Sequence, residues 1–275
     1  MLPGTPSNED STQAAAQVDT AAIRQKVEIR FEKSDAVRFI SHHDLMRAFQ
    51  RALLRAALPV RLTQGFNPRP RIIFPVALEV GIASLDEVAE LELTQWLPPD
   101  NLKDRLENRL PPGIRILRVE ELPPNPRVRL PLRLEYRIHL KEAGISLTAE
   151  RLSAFLQKDQ LPYRRIRPDK PPLERERVVD LKPFLASVAV VDGDLDVAVD
   201  PSTGGNARPL EVLSLLLERP LEELRGIRVT KTKMILEEPK MPQIQNPPKS
   251  KSPKILEPEA EVDPELPSET QECPE

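Results

Sequence analysis

The chain has 275 residues, more than one domain usually holds, and its 39% hydrophobic and 30% charged content excludes a wholly disordered protein; two domains are the first expectation. No apolar run reaches the ~18 residues of a membrane-spanning helix, and the polar, acidic start Met1–Ala22 lacks a signal peptide's basic region, so a cytoplasmic protein without membrane association is expected. A single cysteine, Cys273, excludes an internal disulfide and any zinc or iron–sulfur site built on cysteines, so neither cofactor nor metal is expected in this chain.

Residues 1–22, rich in Ser, Thr, Gln and Ala with no Lys or Arg, read as a disordered leader. Lys26 to Lys33 alternates, Val27, Ile29 and Phe31 against Glu28, Arg30 and Glu32, which predicts a half-buried strand. A turn at Ser34-Asp35 and a short extended piece, Ala36–Ile40, lead to Ser41, placed to cap a helix with Asp44 as its capping-box partner. Leu45, Ala48, Phe49, Ala52, Leu53, Ala56 and Ala57 then form one apolar face of that helix, which Pro59 closes. Extended segments follow at Val60–Thr63 and Arg71–Phe74, and a strand at Val88–Thr94. A helix after Pro98-Pro99 carries Leu102, Leu106 and Leu110 on one stripe, and Ile114–Val119 is the last strand. This β-α-β-β-α-β order is the split βαβ, or ferredoxin-like, arrangement, expected to form a first domain over residues 23–122.

Residues 123–131, opening Pro123-Pro124-Asn125-Pro126, are the expected linker. Beyond it Leu132, Leu134, Tyr136, Ile138 and Leu140 alternate with charged residues, and Leu147–Lys158 reads as a helix with Leu152, Phe155 and Leu156 inward. Asp192-Gly193-Asp194 between Val188–Val191 and Leu195–Val199 signals a hairpin, Pro209 opens a helix carrying Leu210, Leu213, Leu216 and Leu217, and Ile227–Leu236 closes the unit. The fold class predicted is therefore α+β, two ferredoxin-like units in tandem, the second (132–238) elaborated with an extra hairpin. Residues 239–275 hold nine prolines, eight acids and four lysines without an aromatic, and read as a disordered acidic tail. Without the two ends the net charge changes from −3 to +4, so the folded part is mildly basic.

The chemistry suggested by the residues is that of an anion-binding surface. Leu45 to Leu78 contains six arginines, Arg47, Arg51, Arg55, Arg61, Arg69 and Arg71, and no acid. Arg47, Arg51 and Arg55 are spaced by four and make one ridge on the first helix, presenting forked guanidiniums suited to phosphate and to base stacking. The bland alternative is a solvated helix face neutralised by Glu28, Glu90 or Glu92 from neighbouring strands. In Gln64-Gly65-Phe66-Asn67-Pro68-Arg69-Pro70-Arg71, Phe66 stands between cations where a base-stacking ring is useful, although burial against the core is the commoner fate of such a ring and is expected here. Tyr163, Arg164, Arg165 and Arg167 form a secondary basic cluster whose field Asp169, Glu174 and Glu176 reduce. His42 and His43 precede the helix without metal-ligand spacing, and His42 beside the ridge is a candidate general base for a ribose hydroxyl, against the plainer role of a histidine hydrogen-bonded at a helix start. Gly204 to Pro209 lacks either phosphate-loop pattern and reads as a simple loop.

Arg38-Phe39-Ile40-Ser41-His42-His43-Asp44-Leu45-Met46-Arg47, then Gln64 to Pro70 and Phe74 to Gly81, resembles the bacterial radical-SAM-linked protein family, domain of unknown function 2344, found alone or fused behind a radical S-adenosylmethionine enzyme. The likeness runs from about Lys26 to Leu236, with Asp180 to Phe184 and Gly205 to Leu213 similar to later motifs. His43, Arg69 and Glu79 depart from the leucine, histidine and proline usual there. The resemblance implies a partner enzyme and an RNA substrate; this chain has no C-x-x-x-C-x-x-C motif, so cluster and cosubstrate belong on another polypeptide. The leading expectation is a noncatalytic adaptor holding tRNA or rRNA for a separate radical-SAM enzyme. A metal-independent endoribonuclease using His42, or a protein-interaction module without nucleic acid, are the alternatives.

Overall fold

The computed structural model describes residues 23–123, 129–166, 171, 175–201 and 205–239. The predicted leader 1–22, most of the linker and residues 240–275 of the tail lie outside them. Strand β1 (Gln25–Lys33) is the alternating segment of the sequence, and Val27, Ile29 and Phe31 on its helix-facing side are fully buried. The piece Ala36–Ile40, expected to be extended, instead begins as a 3₁₀ turn at Asp35–Val37. The cause is the neighbouring chain: Ser34 N donates to Gly113 O at 2.8 Å, and Gly113, at φ +93°, leaves Ser34 and Val37 space that a Cβ would occupy.

Helix α1 (His42–Arg55) starts as its sequence requires, with Ser41 Oγ accepting from Asp44 N at 3.1 Å. Asp44 does not complete the box; its carboxylate accepts from the Ser41 hydroxyl at 2.7 Å. The buried face Leu45, Ala48, Phe49, Ala52 and Leu53 packs on the apolar side of β1, where the Phe31 ring lies 4.9 Å from Phe49. Each such large side chain contributes about 1.5–3 kcal/mol when fully buried. Strand β2 shrinks to Ile72–Ile73, β3 spans Ile82–Leu93, α2 covers Pro99–Glu107 with Leu102 and Leu106 buried, and β4 (Ile114–Leu122) flanks β1.

The second half runs β5 (Pro131–Ile138), α3 (Ala149–Leu156), the hairpin β6 (Pro162–Ile166) with β7 (Glu176–Asp180), β8 (Leu185–Val191), β9 (Asp194–Val199), α4 (Pro209–Leu217), α5 (Leu221–Leu224) and β10 (Val229–Leu236). The β8–β9 turn is the one signalled by its sequence: Asp192 and Gly193 both take positive φ, +52° and +80°. Phe155 of α3 is buried, whereas Leu156, expected inward, ends the helix 41% exposed. Gly205 admits the Phe184 ring against its backbone: a Cβ there would lie 2.2 Å from it.

All but the β6–β7 hairpin belongs to one sheet, ordered β4-β1-β3-β10-β5-β9-β8, with β2 on β3. Within the first half the neighbours are β4-β1-β3-β2, and within the second β10-β5-β9-β8, every pair antiparallel. The halves meet where Ile82–Ser84 of β3 pairs in parallel with Val229–Lys231 of β10. The halves on either side of 123–131 are thereby joined in one sheet, and the described residues form one compact unit around this mostly antiparallel sheet, an α+β fold. The reason is β2, which bonds β3 only at Leu91 and Glu90 and leaves the start of that edge with backbone groups for β10 to satisfy.

Candidate functional site

Two polar regions stand out, the surface of α1 with its following loop, and the seam between β3 and β10. On α1 the ridge Arg47, Arg51 and Arg55 is exposed. Arg47 reaches Asp44 at 3.6 Å with both side chains largely in solvent, Arg55 donates to Arg109 O, and among the described residues Arg51 has no acidic partner. The acids proposed as neutralisers are elsewhere. Glu28 and Glu90 lie on the sheet face away from α1, directly opposite one another in register, and buried Arg129 donates to both. Burial raises the Glu28 carboxyl, but Arg129 and Arg30 outweigh it and hold it below the usual range. Glu92 takes Arg61 at 2.9 Å and Arg71 at 3.7 Å, which removes those two cations from the free set.

The loop after α1 is closed at its base by Thr63 N donating to Arg69 O at 2.8 Å and Arg69 N donating to Thr63 Oγ1 at 3.1 Å. Gln50 of α1 donates to Pro70 O at 3.3 Å and ties this base to the helix. At the tip, Gly65 takes φ +122° and Phe66 is wholly exposed, which overturns the expectation that its ring seals the core. Two prolines and the short closure point the tip away from the apolar face that α1 has already filled. The Arg69 side chain is exposed and has no acidic partner among the described residues. The secondary cluster is less free: Arg164 pairs with Glu176, Arg165 with Glu211 at 2.6 Å, Tyr163 is half-buried, and Arg167 lies outside the described residues.

The seam is a constellation that sequence reasoning missed. Across four strands the register aligns Lys33 (β1), Ser84 (β3), Lys231 (β10) and Tyr136 (β5) in one row, all buried. A bulge in β3, where Phe31 faces Glu87 but Lys33 faces Ser84, returns Glu87 to this row's face, and its carboxylate meets Lys231 Nζ at 2.6 Å. Lys33 Nζ donates to Arg38 O at 2.9 Å, and the same carbonyl accepts from Gly81 N at 2.9 Å. Burial, with Lys231 beside it and Glu87 opposing, pulls the Lys33 amine down to about 8. His42, at the start of α1, stacks edge-on to Phe74 at 5.4 Å. Its Nδ1 is buried without a hydrogen-bond partner, and burial and His43 hold its pKa below the usual value. Outside the strands, Arg208 Nε stands 3.3 Å from the Glu79 carboxylate, whose pKa burial pushes up against the pull of Arg208. Only the bulge and the joining of the halves bring these residues together, and neither has a period in the sequence.

Among the described residues no group of three or more His, Cys, Asp or Glu side chains is arranged to hold a metal ion, and no helix is long and apolar enough to cross a membrane.

No curated protein matches the sequence. A solved structure, an unknown protein from Galdieria sulphuraria, aligns over 78% of this chain and 98% of that one at 15% identity, with a TM-score of 0.24. Residues 26–209 match the family described as uncharacterized protein conserved in bacteria (DUF2344). That span takes in β1, the α1 ridge, the Phe66 loop and the seam residues as far as Arg208, and this chain belongs to that family.

Proposed function

We propose that the protein is a noncatalytic adaptor that holds RNA, a tRNA or rRNA, for a separately encoded radical-SAM enzyme in the cytoplasm. The observation that carries the reading is Phe66, wholly exposed at the tip of a loop that also carries Arg69 and is tied to α1, the helix of Arg51; Arg51 and Arg69 have no acidic partner among the described residues. A large apolar ring kept in water beside guanidiniums is the combination that unstacked bases and phosphates recognise. The α1 and loop arginines position the backbone, and the ring accepts a base. The partner enzyme rests on the sequence resemblance described above. The shared strand order of the two halves favours a pair of ferredoxin-like units fused edge to edge, a scaffold with a continuous sheet behind the RNA face.

The test is RNA binding of the full chain, affinity-purified with its cellular RNA, against a variant with Arg47, Arg51 and Arg55 changed to Glu. The expected result is a loss of affinity together with a salt slope reduced by about 0.7–0.9 per phosphate contact removed. Unchanged affinity and slope refute the reading, and co-purification of a protein partner unaffected by nuclease favours a protein-docking surface instead.

A second reading is favoured by one observation: the Nδ1 of His42 has no hydrogen-bond partner, and burial and His43 hold the imidazole pKa below its usual value, which favours the neutral form a general base needs. Under that reading the protein cleaves RNA without metal. Cleavage in chelator that is lost in His42→Ala supports it, and intact RNA after long incubation counts against it.

A further inference from the structure

A cleft of about 330 Å³ opens where the two halves meet, beside the start of β3 and the start of β10. This is within the size range of small-ligand sites. Its walls are apolar and come from both halves, Phe39 and Ile82 on one side, Leu221 and Ile227 on the other. Its charged side chains are two acids and two arginines, and one of the acids, Glu211, is held by Arg165 at 2.6 Å. Glu79 supplies a carboxylate in the wall, with Arg208 on one of its oxygens, and Arg208 and Arg225 supply guanidiniums that are 58% and 69% exposed at the rim, Arg225 with the equally exposed Glu222 at 3.7 Å. Phe39 stands at the mouth 67% exposed, with the Arg38 guanidinium 4.7 Å from its ring centroid.

These features describe a flat, apolar body with hydrogen-bond donors on one edge and an anion at one end. An ionised carboxylate only accepts hydrogen bonds, and among the nucleobases guanine alone offers two adjacent donors, N1–H and N2–H, on its pairing edge. Rim guanidiniums suit a phosphate, and the Phe39 ring suits a base face. We propose that the seam cleft binds a guanine nucleotide, with the base between the apolar walls, its pairing edge on Glu79 and its phosphate on Arg208 and Arg225. The nucleotide is either free or a guanosine extruded from RNA; only the second source rests on the RNA-binding reading.

The experiment is calorimetric titration of the full chain with the four nucleoside 5′-monophosphates. Guanosine monophosphate is expected to bind about tenfold or more tightly than the other three. Glu79→Gln, which replaces one acceptor with a donor, is expected to erase the preference for guanosine monophosphate over the other three, and Arg208→Ala to weaken all four alike. No heat with guanosine monophosphate into the millimolar range, or equal affinities unaffected by Glu79→Gln, overturns the proposal. The ridge variant separates it from the RNA reading, since guanosine monophosphate must bind Arg47, Arg51 and Arg55 charge-reversed protein as well as it binds the native chain. Competition assigns the source: loss of preference for an unpaired G over an unpaired A in RNA when the protein is saturated with guanosine monophosphate identifies the extruded base, and retention of it identifies the free nucleotide.

Discussion

The buried lysine of β1 allows a quantitative test of the seam. Lys33 is 1% exposed, and its amine titrates at about 8 instead of 10.5. The unfolded chain therefore binds more protons than the native one between pH 8 and 10.5. Stability must rise with pH through that window, and below it the buried charge carries its full penalty. A shift of this size corresponds to a penalty on the order of 3 kcal/mol. Lys33→Met removes the ammonium and keeps a stem of similar length, and the Arg38 carbonyl remains satisfied by Gly81 N. Urea unfolding of both proteins at a series of pH values gives the stability of the native chain relative to the variant. That difference is expected to climb by on the order of 3 kcal/mol from pH 8 to 10.5, at no more than about 1.4 kcal/mol per pH unit, because the lysines remote from Lys33 are common to both proteins and cancel. A flat difference across the same range refutes the argument and means that Lys33 reaches solvent or is fully compensated by Glu87.

Arg129→Met leaves Glu90 without its arginine and facing Glu28, which keeps only Arg30, and should cost about 3–5 kcal/mol at neutral pH in urea unfolding. Because Glu28 titrates below its usual value, that cost should shrink as acid protonates the carboxylates; a cost that grows on acidification contradicts the assignment. Phe66→Ala should change stability by less than about 0.5 kcal/mol, since the ring touches no core, and should weaken single-stranded RNA by about 1–3 kcal/mol in filter binding or anisotropy. Gly205→Ala forces its Cβ into the Phe184 ring and should lower stability by about 1–3 kcal/mol, read as a reduced Tm.

Much of the local structure was legible because it follows from periodicity and local hydrogen bonding. The alternation of Lys26 to Lys33, the Ser41 cap and the Asp192-Gly193 turn each need only neighbours in sequence, and each is found where those residues place it. What could not be read depends on partners far along the chain. Nothing near Ala36 announces that Gly113 will close a turn on Ser34, and the parity of β3 changes at a bulge, so Glu87 and Ser84 share a face although alternation assigns them to opposite ones. The exposed arginines were visible as an acid-free stretch, but which of them stay free was not: Arg61 and Arg71 are drawn to Glu92 by the β-sheet edge, whereas Arg51 is not. Phe66 shows the limit of composition-based burial. A ring is buried only if the loop carrying it can turn toward an unfilled apolar surface, and Phe49, Phe31 and Phe74 already fill the one beneath α1.

The parallel join of β3 to β10 has a consequence for how the chain is made. Glu87 and Lys231 are separated by 144 positions, and β10 is the last strand of the sheet to leave the ribosome. Until it does, the opening residues of β3 remain an unpaired edge and Glu87 lacks its lysine, so the first half waits during synthesis with an adhesive strand and a buried anion that only the finished chain can quiet. Damage late in the sequence, at Val229 to Lys231, thus reaches back to the earliest part of the fold.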